Sequence, residues 1–289
     1  MRYQEPLFRP PSEAGSLIFQ ATVGCSHNGC TFCAMYRNKR FEVRPLDEMR
    51  NEIAEAGRCW PETSRVFLAD GDALAAPTEH LMEILRALFG TFPKLRRVSL
   101  YATPLNLLAK GTEELRALAG AGLTLFYVGL ESGSDAVLRR MAKGVDAASA
   151  VEAIRRGQDA GLRSSVMVLL GLGGSEGSEE HALATARAVN AIQPHYLSVL
   201  AWFPVPEAPL FRQMAAGRFS PPDDLALVRE LGMLVEALDL RDTVFRANHA
   251  SNPLPIGGRL SRDTIKILSA IRAAEEGLLP LRPAYLRGV

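Results

Sequence analysis

The stretch Leu123-Thr-Leu-Phe-Tyr-Val-Gly-Leu130, then Glu131-Ser-Gly-Ser134, a helical segment over 147–160, Gly161 and Ser165-Val-Met-Val-Leu-Leu170 decides the fold. The two outer runs are almost wholly apolar, as in strands buried on both faces of a parallel sheet. The segment between them repeats apolar residues at helical spacing and ends at a glycine. Strand, helix and strand in that order make parallel neighbours joined by a right-handed crossover. The same unit recurs outward from this stretch. Strand runs fall at 17–23, 66–69, 98–102, 123–130, 165–170 and 196–203, and helical stretches at 46–56, 79–89, 112–119, 147–160, 179–192 and 223–238. Gly57, Gly90, Gly120 and Gly161 read as helix stops, and Thr78, Thr112 and Ser178 stand where N-caps belong.

Six such units place the chain in the α/β class. They predict a partial (β/α)6 TIM-like barrel with a short C-terminal extension, because a closed barrel needs eight strands. Only a weak seventh run, 243–247, and a last helix at 261–274 follow. A doubly wound open sheet is the competing architecture. The expected division is a lead-in over 1–15, a core over 16–205 and a helical extension over 206–289 that carries Asn248-His-Ala-Ser-Asn252. In either architecture ligands bind beyond the carboxyl ends of the strands. That rule picks out residues 25–33, 70–72, 101–104, 131–134 and 171–174, where the polar and glycine-rich oddities of the sequence fall.

Lys plus Arg is 33 and Asp plus Glu is 32, a net charge of +1 that lacks the basic footprint of nucleic-acid binding. No apolar run is long enough for a spanning helix, and residues 1–10, with Arg2, Glu5 and Arg9, lack the apolar centre of a signal peptide. A cytoplasmic, reduced setting without a membrane partner is expected. The four cysteines are Cys25, Cys30, Cys33 and Cys59, and three of them lie within nine residues.

Cys25-Ser-His-Asn-Gly-Cys30-Thr-Phe-Cys33 is a C-x4-C-x2-C loop. Three thiolates suit a [4Fe–4S] cluster with one iron left open. Zinc would want a fourth ligand, with His27 awkwardly close in sequence and Cys59 at the far end of the barrel. A loop that binds no metal is the third alternative.

This loop, with Phe32 just before its last cysteine, resembles the signature of the radical S-adenosylmethionine superfamily, with one more residue in the first gap. Asp70-Gly71-Asp72 resembles the motif after strand two of that family, and Gly129-Leu-Glu-Ser-Gly-Ser-Asp135 its strand-four motif. The latter is typical of the branch that holds coproporphyrinogen dehydrogenase, methylthiotransferases and elongator-type proteins. The resemblance spans about residues 16–205 and implies a partial (β/α)6 barrel. It also implies an enzyme with a [4Fe–4S] cluster and S-adenosylmethionine, which is reductively cleaved to a 5′-deoxyadenosyl radical that attacks the substrate. Cys25, Cys30 and Cys33 would then be the cluster ligands. Phe32 would lie near the adenine, and Asp70, Gly71 and Asp72 would receive the methionine ammonium. Glu131 and Ser132 would meet the ribose or carboxylate, and the Gly171 turn would approach the adenine.

Tyr36, opening the basic run Tyr36-Arg-Asn-Lys-Arg40, and His249 with Asn252 are the candidates for work on the substrate. The bland readings are a solvated loop and a polar turn that satisfies its own backbone. With no cobalamin-type domain and no second cysteine cluster in this sequence, a small-molecule substrate is expected, with an electron donor such as flavodoxin or ferredoxin. Nucleic acid is disfavoured. The alternative in another class is a non-catalytic iron–sulfur or zinc protein on a barrel scaffold. That reading gives Asp70, Asp72, Glu131 and Ser132 no task. A zinc hydrolase is set aside because the five histidines are scattered.

Overall fold

The computed structural model describes residues 1–287, so the expected extension ends two residues beyond the described ones. In chain order the elements begin with β1 (Leu17–Gln20), β2 (Thr22–Val23), β3 (Glu42–Val43), α1 (Leu46–Cys59), β4 (Arg65–Ala69), α2 (Thr78–Thr91) and β5 (Arg97–Ala102). Then come α3 (Pro104–Ala109), α4 (Thr112–Gly120), β6 (Leu123–Glu131), α5 (Asp135–Arg140), α6 (Ala147–Asp159), β7 (Arg163–Leu170) and α7 (Ser178–Ile192). The chain closes with β8 (Tyr196–Ala201), α8 (Pro209–Ala215), α9 (Asp224–Glu236), β9 (Thr243–Ala247), β10 (Ile256–Leu260) and α10 (Thr264–Glu275).

These elements form two compact units, one of residues 1–28, 35–128 and 153–164, the other of residues 29–34, 129–152 and 165 onward. In the first unit the strand order is β1-β4-β5-β6, all parallel. Val66 faces Leu17 on one side and Val98 on the other. The strands are buried almost throughout, which is why they read as unbroken apolar runs. Helix α1 buries Met49, Ile53 and Ala56, one stripe at helical spacing. Phe67, Tyr101 and Tyr127 meet edge to face, with centroids 5.0 to 6.0 Å apart.

In the second unit the order is β7-β8-β9-β10. The weak seventh run is a true strand, β9, parallel to β8. Strand β10 returns antiparallel to it, a hairpin that the paired glycines Gly257 and Gly258 hid from the sequence pattern. The extension is therefore not purely helical: it hydrogen-bonds into the sheet.

Two kinds of boundary signal were misplaced. Thr78, Thr112 and Ser178 are the first helical residues, and Pro77, Gly111 and Gly177 hold the cap positions. Side-chain caps are made by Thr103, Ser134, Asp146 and Asp223, each accepting from a backbone N–H three residues on. Gly57 does not stop α1. A Cβ there would lie 2.3 Å from the Thr91 methyl carbon, so it is a packing glycine between α1 and α2. Gly161, at φ +93°, ends α6 as expected.

The lead-in is anchored by a buried carboxylate. Glu13, 0% exposed, accepts from Tyr127 Oη at 2.6 Å, Arg97 at 2.8 Å and Ser99 Oγ at 3.0 Å. Burial, then the Glu13 carboxylate, pushes the Tyr127 phenol up. Replacing Glu13 by Ala leaves Arg97, Tyr127 and Ser99 without their acceptor. It should cost about 3 kcal/mol, the scale for breaking a buried ion pair. Urea unfolding checks this, and an unchanged midpoint would contradict it.

Candidate functional site

In the first unit the cysteine loop leaves β2 through Gly24, whose φ of +75° turns the chain toward Cys25. The end of β4 continues beside it. Asp70 N–H donates to Thr22 O at 3.1 Å and Gly71 N–H to Gly24 O at 3.0 Å. A Cβ on Gly71 would lie 2.4 Å from the Tyr36 ring and 3.0 Å from Cys25 Cβ, so only glycine lets the three residues close together. Tyr36 is buried, with its ring edge-on to Phe8 at 5.5 Å. That ring fills the space over Gly71.

Asp72 is 0% exposed and gathers Ser26 Oγ, Thr103 N–H at 3.2 Å, Thr103 Oγ at 3.1 Å and Asn106 Nδ2. Burial pushes its carboxyl up, against the pull of these donors. Thr103 caps α3 and binds Asp72 at once. Asp70 is also 0% exposed, and its Oδ1 has no hydrogen-bond partner.

The second unit holds the rest of the loop. Thr31 N–H donates to Met141 O at 2.9 Å, and Leu210 N–H to Thr31 O at 2.8 Å. Phe32 packs on a cluster of Val137, Met141, Leu172, Trp202, Leu210 and Phe219. Glu131, at the end of β6, adopts φ +65° and receives Lys143 Nζ at 3.0 Å. A Cβ on Gly129 would fall 1.8 Å from that carboxylate, so the glycine makes room for the pair. Ser132 is buried, and its Oγ accepts from Ser134 N–H at 2.9 Å. Cys25, Cys30 and Cys33 are half-buried, in no disulfide, and Cys59 is exposed at the end of α1.

Gly171, at φ +86°, donates its N–H to Glu230 Oε1 at 2.8 Å. The same carboxylate receives Ser178 Oγ and meets His181 Nδ1 at 2.9 Å. Arg140 donates to the carbonyls of Leu172 and Gly173 at 3.2 and 3.0 Å. Sequence reasoning missed Glu230, His181, Arg140 and Lys143. Glu230 carried a signal: it is a charge on the apolar face of α9, among Leu227, Val228, Leu231 and Leu234.

Asn252, expected to reach substrate, has its side-chain amide on three backbone groups. It is 1% exposed. Its Oδ1 accepts from Ala201 N–H at 2.8 Å, and its Nδ2 donates to Val199 O at 2.8 Å and Ala247 O at 2.9 Å. With its amide used up on the backbone of β8 and β9, Asn252 closes the turn after β9. His249 Nδ1 accepts from Ser251 N–H at 3.2 Å and lies 2.9 Å from Ser251 Oγ. The neutral ring therefore carries its proton on Nε2.

Residues 19–186 match the family model of the radical SAM superfamily, more than half of the chain, and the chain belongs to that superfamily. Its fold is similar to that of coproporphyrinogen III oxidase (HemN) from Escherichia coli, at TM-score 0.60 and 16% identity over 77% of this chain and 52% of that one. It is similar to methylornithine synthase (PylB) at TM-score 0.57 and 13% identity, over 89% of this chain and 68% of the other. It is similar to Elp3 from the archaeon Methanocaldococcus infernus at 0.53 and 14%, over 82% and 60%. The chain thus spans about half to two thirds of the length of these proteins. No curated protein matches the sequence. These likenesses give the fold as the partial, TIM-like α/β barrel fold of the superfamily. Members of the superfamily are enzymes that use a [4Fe–4S] cluster and S-adenosylmethionine. Among the described residues no helix is long and apolar enough to cross a membrane.

Burial, then the nearby Arg282 guanidinium, holds the His249 imidazole below its ordinary value. A group depressed on folding contributes stability above its unfolded pKa, and that contribution is lost as pH falls through the folded value. Between about pH 7 and about pH 5 the melting temperature of the native chain should therefore fall further than that of His249→Asn. Parallel melting curves would contradict this.

Proposed function

We propose that the chain binds a [4Fe–4S] cluster through Cys25, Cys30 and Cys33 and acts on a small-molecule substrate by radical chemistry. The observation that carries this reading is the thiolate set itself. Three cysteines stand in one loop, inside the segment that matches the superfamily model. Thiolate is the donor that iron–sulfur clusters take, and three thiolates leave one of four irons for another ligand. The surroundings fit such a group. Gly71 keeps a side chain away from Cys25, and next to it Asp70 and Asp72 are buried acceptors. Together with S-adenosylmethionine, the bound cluster supplies one-electron cleavage to a 5′-deoxyadenosyl radical.

The protein's part is binding and orientation. Asp72 and the carbonyls beside Gly71 accept protons of the methionine ammonium. A cation there offsets the burial that pushes the Asp72 carboxyl up. Glu131, set by its positive φ and its pairing with Lys143, and Ser132 face the ribose or the methionine carboxylate. Phe32 supplies an apolar wall for the adenine. The Gly171 turn offers backbone at close range, its own N–H already held by Glu230. Tyr36 walls the Gly71 side, and His249 presents Nε2–H to substrate from the turn that Asn252 closes. A one-electron donor of the flavodoxin or ferredoxin kind supplies the reductant, and the protein is cytoplasmic.

The test is anaerobic reconstitution with iron and sulfide, followed by dithionite and S-adenosylmethionine, with 5′-deoxyadenosine measured by mass spectrometry. The native chain should form it and Cys30→Ala should not. A reconstituted native chain that forms none, with a stronger reductant as well, would move the weight to a non-catalytic metal protein.

A further inference from the structure

Asp70 has a task that the binding of S-adenosylmethionine does not require. Its carboxylate lies where several chain segments cross. Oδ2 accepts from Lys39 Nζ at 2.8 Å, Gln20 Nε2 at 2.8 Å and Gly24 N–H at 3.1 Å. Lys39 spends its other two protons on the carbonyls of Gln4 and Pro6, at 2.5 and 2.8 Å. All three ammonium protons are thus bound. The pair is almost free of solvent, with side-chain exposures of 5% for Lys39 and 0% for Asp70.

Where this pair sits matters more than its strength. Between β2 and β3, residues 24–41 contain no strand and no helix. Backbone hydrogen bonds pin the loop at single points, among them Gly24 to Gly71 and Thr31 to Met141 and Leu210, but no ladder runs along it, so side chains take a share in setting its shape. Gly24 directly precedes Cys25, and Lys39 lies on the returning limb six residues after Cys33. One carboxylate therefore holds both limbs of the cysteine loop. It also ties them to Gln20 of β1 and, through Lys39, to the lead-in. A Cβ on Gly24 would stand 3.3 Å from Lys39 Cβ, so the limbs already meet as closely as side chains allow.

We propose that Asp70 is a positioning residue, a buried clasp that with Lys39 closes the two limbs of the cysteine loop on the end of β4 and sets the loop's shape before a cluster is bound. The part of this inference that concerns the cluster rests on the reading of Cys25, Cys30 and Cys33 as its ligands. The residues that close the loop differ from those that meet the ammonium. Asp72 serves the cofactor, and Asp70 serves the loop.

Asp70→Asn keeps the size, removes the charge and sets an amide among three donors. In metal-free protein, amide hydrogen exchange over residues 21–41 should quicken about tenfold while β5 and β6 stay slow. After reconstitution the variant should lose iron to a chelator about tenfold faster, with an altered electron paramagnetic resonance spectrum of the reduced cluster. The double variant Asp70→Asn/Lys39→Met leaves no stranded charge and should regain melting temperature, yet its loop should still exchange fast. Native-like exchange over 21–41 in Asp70→Asn would overturn the clasp. Exchange that rises equally across the whole chain would do the same, and so would slow loop exchange restored in the double variant. A native chain that takes up no iron would overturn the ligand reading and the cluster-positioning role together. The exchange contrast would still decide the clasp.

Discussion

A carboxylate and an ammonium buried against each other are held together by more than attraction, because each would be stranded without the other. Asp70 and Lys39 are such a pair. Removing both charges from water is expensive, and it is tolerable only because the remaining protons and lone pairs find partners. Gln20, Gly24, Gln4 and Pro6 supply most of them. The least regular segment of the first unit, the long loop after β2, is thereby fastened to two of its most regular ones, β1 and β4. The paired strands thus hold the loop that contains the three cysteines.

The second unit solves a similar problem with a different buried acid. Gly171, in the turn after β7, has a positive φ, and its N–H finds its acceptor on a side chain. Glu230 of α9 accepts it, along with Ser178 and His181. A buried carboxylate with three donors is stable only where all three are in place, so the turn, the first residue of α7 and the middle of α9 are specified together. Helix α9 belongs to the expected extension, yet it braces a turn of the expected core.

The strands and helices were legible because parallel strands covered on both faces write themselves as apolar runs, and helices with one buried stripe repeat at 3.6 residues. Strand β10 was not, since Ile256-Gly-Gly-Arg-Leu260 has too few apolar residues to read as a strand. The cap errors share one cause. Thr78, Thr112 and Ser178 have the right chemistry, but the backbone turns one residue earlier, at a proline or glycine. Of the candidate residues, the cysteines, Asp72 and Glu131 stood out by type and place. The clasp was legible only in part. Asp70 was visible as a strand-end acid, but its partner Lys39 was lost in a basic run that looked like a solvated loop. Asn248 to Asn252 reads two ways from its composition: it suits a substrate site and equally a turn that satisfies its own backbone, and Asn252 binds the backbone there.

Three cysteine ligands on a four-iron cluster make one iron chemically distinct, and everything assigned to Asp72, Glu131 and Phe32 depends on that iron being open. Mössbauer spectroscopy of the iron-57 protein, with and without S-adenosylmethionine, measures this directly. One iron in four should change its isomer shift when S-adenosylmethionine is added, and the other three should not. Four irons that all ignore the addition would contradict an open site held by Cys25, Cys30 and Cys33.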